Sequence, residues 1–292
     1  MANETVLSGI NRIERVYSDS ISADFIKKVV AINTISGSDL PSGTLVKSYK
    51  NKVAFSEGAA ATVSEGGSFS TNTALTNGQV NLTAIKSAIS SKISVEVSDF
   101  NIVSDQEVVN EQASAIARAV DTEILALFPS FTAGTVTATS VGTLDDLYDA
   151  VYNVQNTTLR YDGVLNAVIS LKTANAIRKE IANSGASQFS LENRLSVLGS
   201  PGQAIVKPNG SLGELPGLRL FVTSGFSTTG GDNVQGVFDV DAIEGIYGSS
   251  VNTWAIKVGQ GNPSFVIELS SYFWHAAGIR RAGSGCIFRS DT

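Results

Sequence analysis

The sequence predicts an α+β protein: a long helix lying across a sheet, with an α/β segment inserted before the chain returns to that sheet. Three observations predict it. A single amphipathic stripe of helical period runs over 105–128. A cleanly alternating strand stands just before it at 92–100. A set of short strand patterns, with no helical run among them, closes the chain after residue 218.

Composition sets the frame. The chain has 292 residues, enough for one large domain or two modest ones. Hydrophobic residues make up 42% and charged residues 16%. The first figure places the chain among globular proteins. The second is low for a soluble domain and suits a subunit that buries much of its surface against copies of itself; it suits equally a Ser/Thr/Gly-rich β protein whose polarity comes from uncharged groups. The net charge is −6 and the pI about 4.9. Tight non-specific binding to nucleic acid needs a surplus of Lys and Arg, which this chain lacks. Its basic pairs, Lys27–Lys28, Arg178–Lys179 and Arg280–Arg281, read as solvated faces or salt-bridge partners.

The elements follow in order. Residues 1–44 show weak pattern: a short helix is expected over 23–32, where Phe25, Ile26, Val29 and Val30 share a face, and the rest reads as an extended arm ending at the turn 39–43. Residues 45–92 read as a two-stranded excursion. Its tip, 56–78, is rich in Gly, Ser, Thr and Ala, with few large apolar residues beyond Phe69 and Leu75. Such a tip has little to pack into a core of its own, so the excursion should project from the body, with 80–82 starting the return strand.

In 92–100, Ile93, Val95 and Val97 alternate with Ser94, Glu96 and Ser98, the pattern of a half-buried strand. Ser104 and Glu107 then form an S-x-x-E capping box. Val109, Ala113, Ile116, Val120, Ile124 and Leu127 recur at spacings of three and four, while Glu107, Glu111, Ser114, Arg118 and Asp121 take the opposite face. A helix over 105–128 would be ~36 Å long.

A second helix is expected over 143–155, with Thr143 as N-cap and Asp145 and Asp146 in the first turn. A buried strand at 164–170 feeds a third helix over 171–182. Residues 184–216 read as a long loop region with helical or hairpin pieces. Strands are expected at 218–223, 236–240, 251–258, 265–273 and 285–289, with a strong turn at 228–233.

The chemistry is sparse. One His (His275) and one Cys (Cys286) almost exclude a conventional zinc site and exclude an internal disulfide. A Ser-His-Asp triad would have to use His275, which sits in an aromatic stretch and reads as a packed or hydrogen-bonded strand residue. Cys286 reads as a small buried hydrophobe. The acid pairs Asp145–Asp146 and Asp239–Asp241 fit a helix start and a turn. No Walker loop, nucleophile elbow or dinucleotide fingerprint opens a helix. No catalytic, cofactor-binding or metal-binding residues are therefore expected. No secretory leader opens the sequence and no apolar run spans a bilayer, so a soluble protein made in the cytoplasm is expected.

The order of elements resembles the tailed-bacteriophage major capsid proteins with the HK97 fold. Residues 54–58 through 80–86 are similar to the E-loop ribbon of that family, and 92–100 with 104–128 to its peripheral-domain strand and spine helix. Residues 164–180 and 236–242 resemble its axial domain, and 265–289 its closing strands. The resemblance implies an N-terminal arm at 1–44, an E-loop at 45–92, a discontinuous P-domain at 93–135 and 250–292 with its spine helix at 105–128, and an A-domain at 136–249. It implies a structural role without enzymatic activity: self-assembly into hexamers and pentamers of an icosahedral shell around a phage double-stranded DNA genome. Its implied partners are other copies of itself, a separate scaffolding protein and a portal, with a decoration or cement protein as an optional addition; the packaged DNA would be touched only weakly and non-specifically, and no membrane is involved. The implied location is the virion, after synthesis in the cytoplasm of a bacterial host. Two rivals are an encapsulin-like cellular compartment, which shares the fold, and an α/β enzyme of unfamiliar type.

Overall fold

A computed structural model describes residues 17–40, 45–50, 79–94, 105–138, 140–158, 163–183, 211–226, 228–258 and 266–291. In chain order, helix α1 covers 17–28 and a 3-10 turn (Ala31–Thr34) leads to β1 (Ser36–Asp39). β2 (Val46–Lys50) and β3 (Gln79–Thr83) pair antiparallel, and β4 (Ile85–Ser94) follows. Next come α2 (Asp105–Leu125), β5 (Thr135–Thr137), α3 (Leu144–Thr158), β6 (Leu165–Ser170) and α4 (Leu171–Asn183). The remainder is strand: β7 (Ser211–Leu215), β8 (Leu218–Thr223), β9 (Thr228–Thr229), β10 (Asp232–Phe238), β11 (Ile243–Tyr247), β12 (Asn252–Val258), β13 (Val266–Ile279) and β14 (Gly285–Asp291).

Two larger sheets organise these strands. In the first, β13 is the spine: β4 runs along one edge, while β12 and β11 lie end to end on the other, and β1 adds parallel to β11. In the second the order is β5-β14-β10-β6-β8-β7, with β9 turning back onto β10. That last hairpin turns at Gly230 and Gly231, whose φ values of 67° and 96° suit glycine alone among common residues.

The second sheet is buried on both faces. Along β6, Leu165, Ala167 and Ile169 point to α3 and α4, joining Leu147, Val154, Ile177 and Ile181 in one core. Val168, between them, points to the opposite core, built on α2, α1 and β13. β14 divides in the same way, with Cys286 and Phe288 on one side and Ile287 on the other. The α2 core holds Ile116, Val120 and Ile124 against Phe25, Val29 and Phe273, and ends in a cluster of Phe128, Phe131 and Phe238 with ring centroids 5.3–5.5 Å apart. Each such aliphatic or aromatic side chain contributes roughly 1.5–3 kcal/mol by leaving water.

The apolar stripe, the second and third helices and the 218–223 strand stand where the sequence puts them, and the long helix starts at Asp105 as expected but ends at Leu125, with a separate 3-10 turn at Phe128–Ser130. Thr143 caps α3: Asp146 N–H donates to Thr143 Oγ1 at 3.2 Å, and Thr143 N–H donates back to the Asp146 carboxylate at 2.8 Å. The Ser104 half of the other capping box, residues 95–100 of the expected strand and the ribbon tip at 56–78 lie outside the described residues.

Five expectations need correction. Residues 17–40 are not an extended arm around a helix at 23–32. The helix covers 17–28, and Ile21, Phe25, Val30, Ala31 and Ile35 are buried in the main core. The strand before α2 begins at Ile85, seven residues earlier than the alternation suggests, because its inward positions include Ser87 and Ser91, hydrogen-bonded across the interface and not apolar. Asp121 is not on the solvated face of α2; it is 4% exposed, for the reason given below. Ser211–Leu215 and Ile243–Tyr247 are strands that the sequence pattern did not reveal; both contain a glycine that interrupts the apolar run. Finally, β14 does not close the sheet of β4. It pairs with β10 and β5 in the seven-stranded sheet.

Candidate functional site

Helix α2 is tied to its surroundings by two buried polar groups, Gln112 and Asp121, and by Glu123, which is partly exposed. Gln112, fully buried, donates to Leu269 O at 2.9 Å and to Ser91 Oγ at 3.1 Å, and accepts from Ser271, whose Oγ also bonds Thr253. Asp121 accepts from the backbone N–H of Ala31 at 2.8 Å and of Val30 at 3.1 Å, so it caps the 3-10 turn that follows α1. Burial pushes its carboxyl up to about 6, against the partial relief of those two N–H groups and the Thr223 hydroxyl. Glu123 lies 3.0 Å from Nδ1 of His275, whose Nε2 is 2.7 Å from Ser87 Oγ. Burying any of these groups without its partners would cost about 1–3 kcal/mol, more for the charged ones.

Among the described residues, nothing covers the opposite face of the five-stranded sheet. Along β13 the odd residues Leu269, Ser271, Phe273 and His275 are buried, while Glu268, Ser270, Tyr272 and Trp274 are only partly so. In register beside Ser270 lie Trp254 on β12 and Ser90 on β4; beside Trp274 lies Lys86. Trp254 is 59% exposed. Tyr272 and Trp274 meet edge-on with centroids 6.5 Å apart, and the Lys86 ammonium sits 3.9 Å above the Tyr272 ring. Ser90 donates to Glu268 at 2.7 Å. A second exposed apolar group, Leu45, Val46 and Ile85, marks the root of the β2–β3 ribbon, where Ala84 N–H donates to Leu45 O.

The sequence-predicted candidates fall as follows. His275 is 2% exposed, packed against Phe273 and hydrogen-bonded at both ring nitrogens. Cys286 is fully buried, and burial pushes its thiol up. Asp239 caps the 3-10 turn at Val240–Ala242, accepting from Asp241 N–H. The basic pairs are partly ion-paired: Lys27 with Asp24 at 3.3 Å and Arg280 with Glu244 at 2.6 Å. Among the described residues no three His, Cys, Asp or Glu side chains converge as a metal site would need, and no helix is long and apolar enough to cross a membrane. Sequence reasoning missed the roles of Gln112 and Asp121. The only available signal was Gln112 standing inside the apolar stripe, between Val109 and Ile116.

No family model matches the sequence, and no curated protein matches it. Solved structures do. The capsid of Ralstonia phage GP4 superposes with a TM-score of 0.59 at 10% identity, over 89% of this chain and 87% of that one. The capsid of a native GTA particle gives 0.59 at 12% identity, over 89% of each chain. A virus-like particle from Pyrococcus furiosus gives 0.53 at 10% identity, over 93% of this chain and 97% of that one. The fold is that of phage capsid proteins, the HK97-like architecture expected from the element order.

Proposed function

We propose that this chain is a structural subunit that self-assembles into the icosahedral shell of a tailed phage, around its double-stranded DNA. The observation that carries the reading is the fold shared with capsid chains over 89% of this chain's length. The aromatic face left open on the five-stranded sheet agrees with it, since exposed apolar patches of this kind mark interaction surfaces. So does the acidic balance, because a strongly basic lining would hold DNA against packing and release. Hexamers and pentamers are the building units, a separate scaffolding protein and a portal the assembly partners, and the virion the destination after synthesis in the host cytoplasm. The work is mechanical, without substrate turnover. The division into arm (1–44), ribbon (45–92), P-domain (93–135 and 250–292) and A-domain (136–249) is kept with two adjustments, each following the sheet that the strand joins: 285–291 goes with the A-domain and 243–247 with the P-domain.

A second reading has a specific observation behind it. The likeness to the Pyrococcus furiosus particle, over 97% of that chain, favours a shell encoded by a cellular organism. Expression in a bacterium, with and without a candidate scaffold, followed by sedimentation and extraction of the particle contents, tests both. A phage shell should form as a closed particle, empty or filled with genomic DNA. Particles that copurify with one stoichiometric protein cargo would select the cellular compartment.

A further inference from the structure

Ser87 of β4, His275 of β13 and Glu123 of α2 come from three elements and form one hydrogen-bonded relay. Ser87 Oγ is 2.7 Å from Nε2, and Nδ1 is 3.0 Å from Glu123 Oε2. A carboxylate can only accept, so it fixes the tautomer: Nδ1 carries the proton and Nε2 accepts the Ser87 hydroxyl. The imidazole is held in place by burial and by Phe273, whose ring lies 6.1 Å away and inclined by only 16°. Tyr247 of β11 and Ile85 of β4 face it in the ladder, and Glu123 is the charged group that reaches it from α2. The two ends of the relay differ from its centre. His275 is 2% exposed, whereas the Glu123 side chain is 30% exposed and Ser87, at an inward position of the edge strand β4, is partly exposed. A buried base with its hydroxyl partner at the solvent boundary is the arrangement that raises a serine's nucleophilicity. Ile85, 48% exposed, gives an apolar flank beside it.

We propose that Ser87 is an activated acyl acceptor, with His275 as its base and Glu123 as the positioning residue, and that it takes one acyl group from an activated ester. In that step the Ser87 Oγ–acyl bond forms and the donor's ester C–O bond breaks. The serine proton passes to His275 Nε2 and from there to the departing alkoxide. No electrons change hands, and the product is one acyl ester at Ser87. The transfer is a single covalent event on the folded subunit and does not depend on the shell reading.

The experiment uses the full-length protein with p-nitrophenyl acetate as donor and an alkyl fluorophosphonate as an independent probe, with the labelled residue mapped by peptide mass spectrometry. The expected result is one equivalent of p-nitrophenolate per chain and one label, at Ser87. Ser87→Ala should abolish it. His275→Gln should slow it on the order of 100-fold, the low end of general-base effects. Glu123→Gln should slow it and change its pH profile while the circular dichroism spectrum stays that of the wild type. Absence of the burst, or label spread evenly over exposed serines, would overturn the proposal from the wild-type protein alone, whether or not His275→Gln folds. An unchanged pH profile in Glu123→Gln would remove Glu123 from the relay.

Discussion

The two sheets solve the same packing problem differently. The seven-stranded sheet is covered on both faces, and β6 within it is buried at every position from Leu165 to Ser170. The five-stranded sheet is covered on one face by α1 and α2, while among the described residues the other face is uncovered, with Trp254 and Lys86 exposed and Tyr272 and Trp274 partly so. The covered face also differs in kind, because Gln112, Ser271, Thr253 and the Ser87–His275–Glu123 relay lie among its apolar residues. The lesson is a division of labour. One sheet completes its burial inside the subunit, and the other holds a helix by directional bonds and leaves its second face exposed among the described residues.

That contrast can be broken at four points. The largest effect should come from a charge placed in either covered layer. Ile116→Asp puts an unpaired carboxylate where the native side chain is 2% exposed, and folding should fail, with no cooperative melting transition by circular dichroism. Val168→Asp, in the other sheet, should do the same. A melting curve like the wild type's for Ile116→Asp would mean that α2 does not carry the core.

Asp121 comes next. Its carboxyl titrates at about 6 in the folded protein against an ordinary value of 3.8, so the folded state holds the proton more tightly. Its contribution is therefore fully present below pH 3.8 and lost as the pH rises through about 6. Burial of the charge costs stability at neutral pH, by about 3 kcal/mol at most for a shift of this size. Asp121→Asn, which keeps an acceptor for Ala31 and Val30, should flatten that segment of the stability–pH curve in urea titrations. A slope unchanged between pH 4 and 6 would place the titrating group elsewhere.

Gln112→Ala should cost about 1–3 kcal/mol in the same assay, by removing the partner of Leu269 O and leaving the Ser271 hydroxyl with Thr253 alone in a dry interface. Gln112→Leu should not recover it, since those groups remain. The smallest effect should be at Trp254. Trp254→Ser lies on the open face and should move subunit stability by no more than ~0.5 kcal/mol, while lowering the yield of assembled particles measured by sedimentation.

How much of this was legible depends on what each position does. Strand β8 and helices α3 and α4 were readable because their apolar residues repeat at the period of the element, and Thr143 and Asp146 spell out a cap. The α2 stripe was readable for the same reason. Strand β4 was misread because its inward face carries Ser87 and Ser91, which satisfy partners far away in sequence: His275 and Gln112. Period analysis sees only apolarity, so an inward polar residue bonded to a distant partner looks solvated. Asp121 fails in the same way, its donors lying 90 and 91 residues upstream. The pairing of β14 with β10 and not with β4 is a choice between two sheets that no local pattern encodes. His275 was read as a packed, hydrogen-bonded strand residue, and it is one; the serine and the glutamate at its two nitrogens could be found only in three dimensions.

The central claim is that this chain builds a closed shell from copies of itself. Electron microscopy of the purified protein, expressed with a candidate scaffold and without, tests it most directly. The account predicts closed particles of uniform size whose walls are one subunit thick, or the ring-shaped capsomers that precede them. A population made up solely of 30.5 kDa monomers, at every concentration and with either expression scheme, would contradict it.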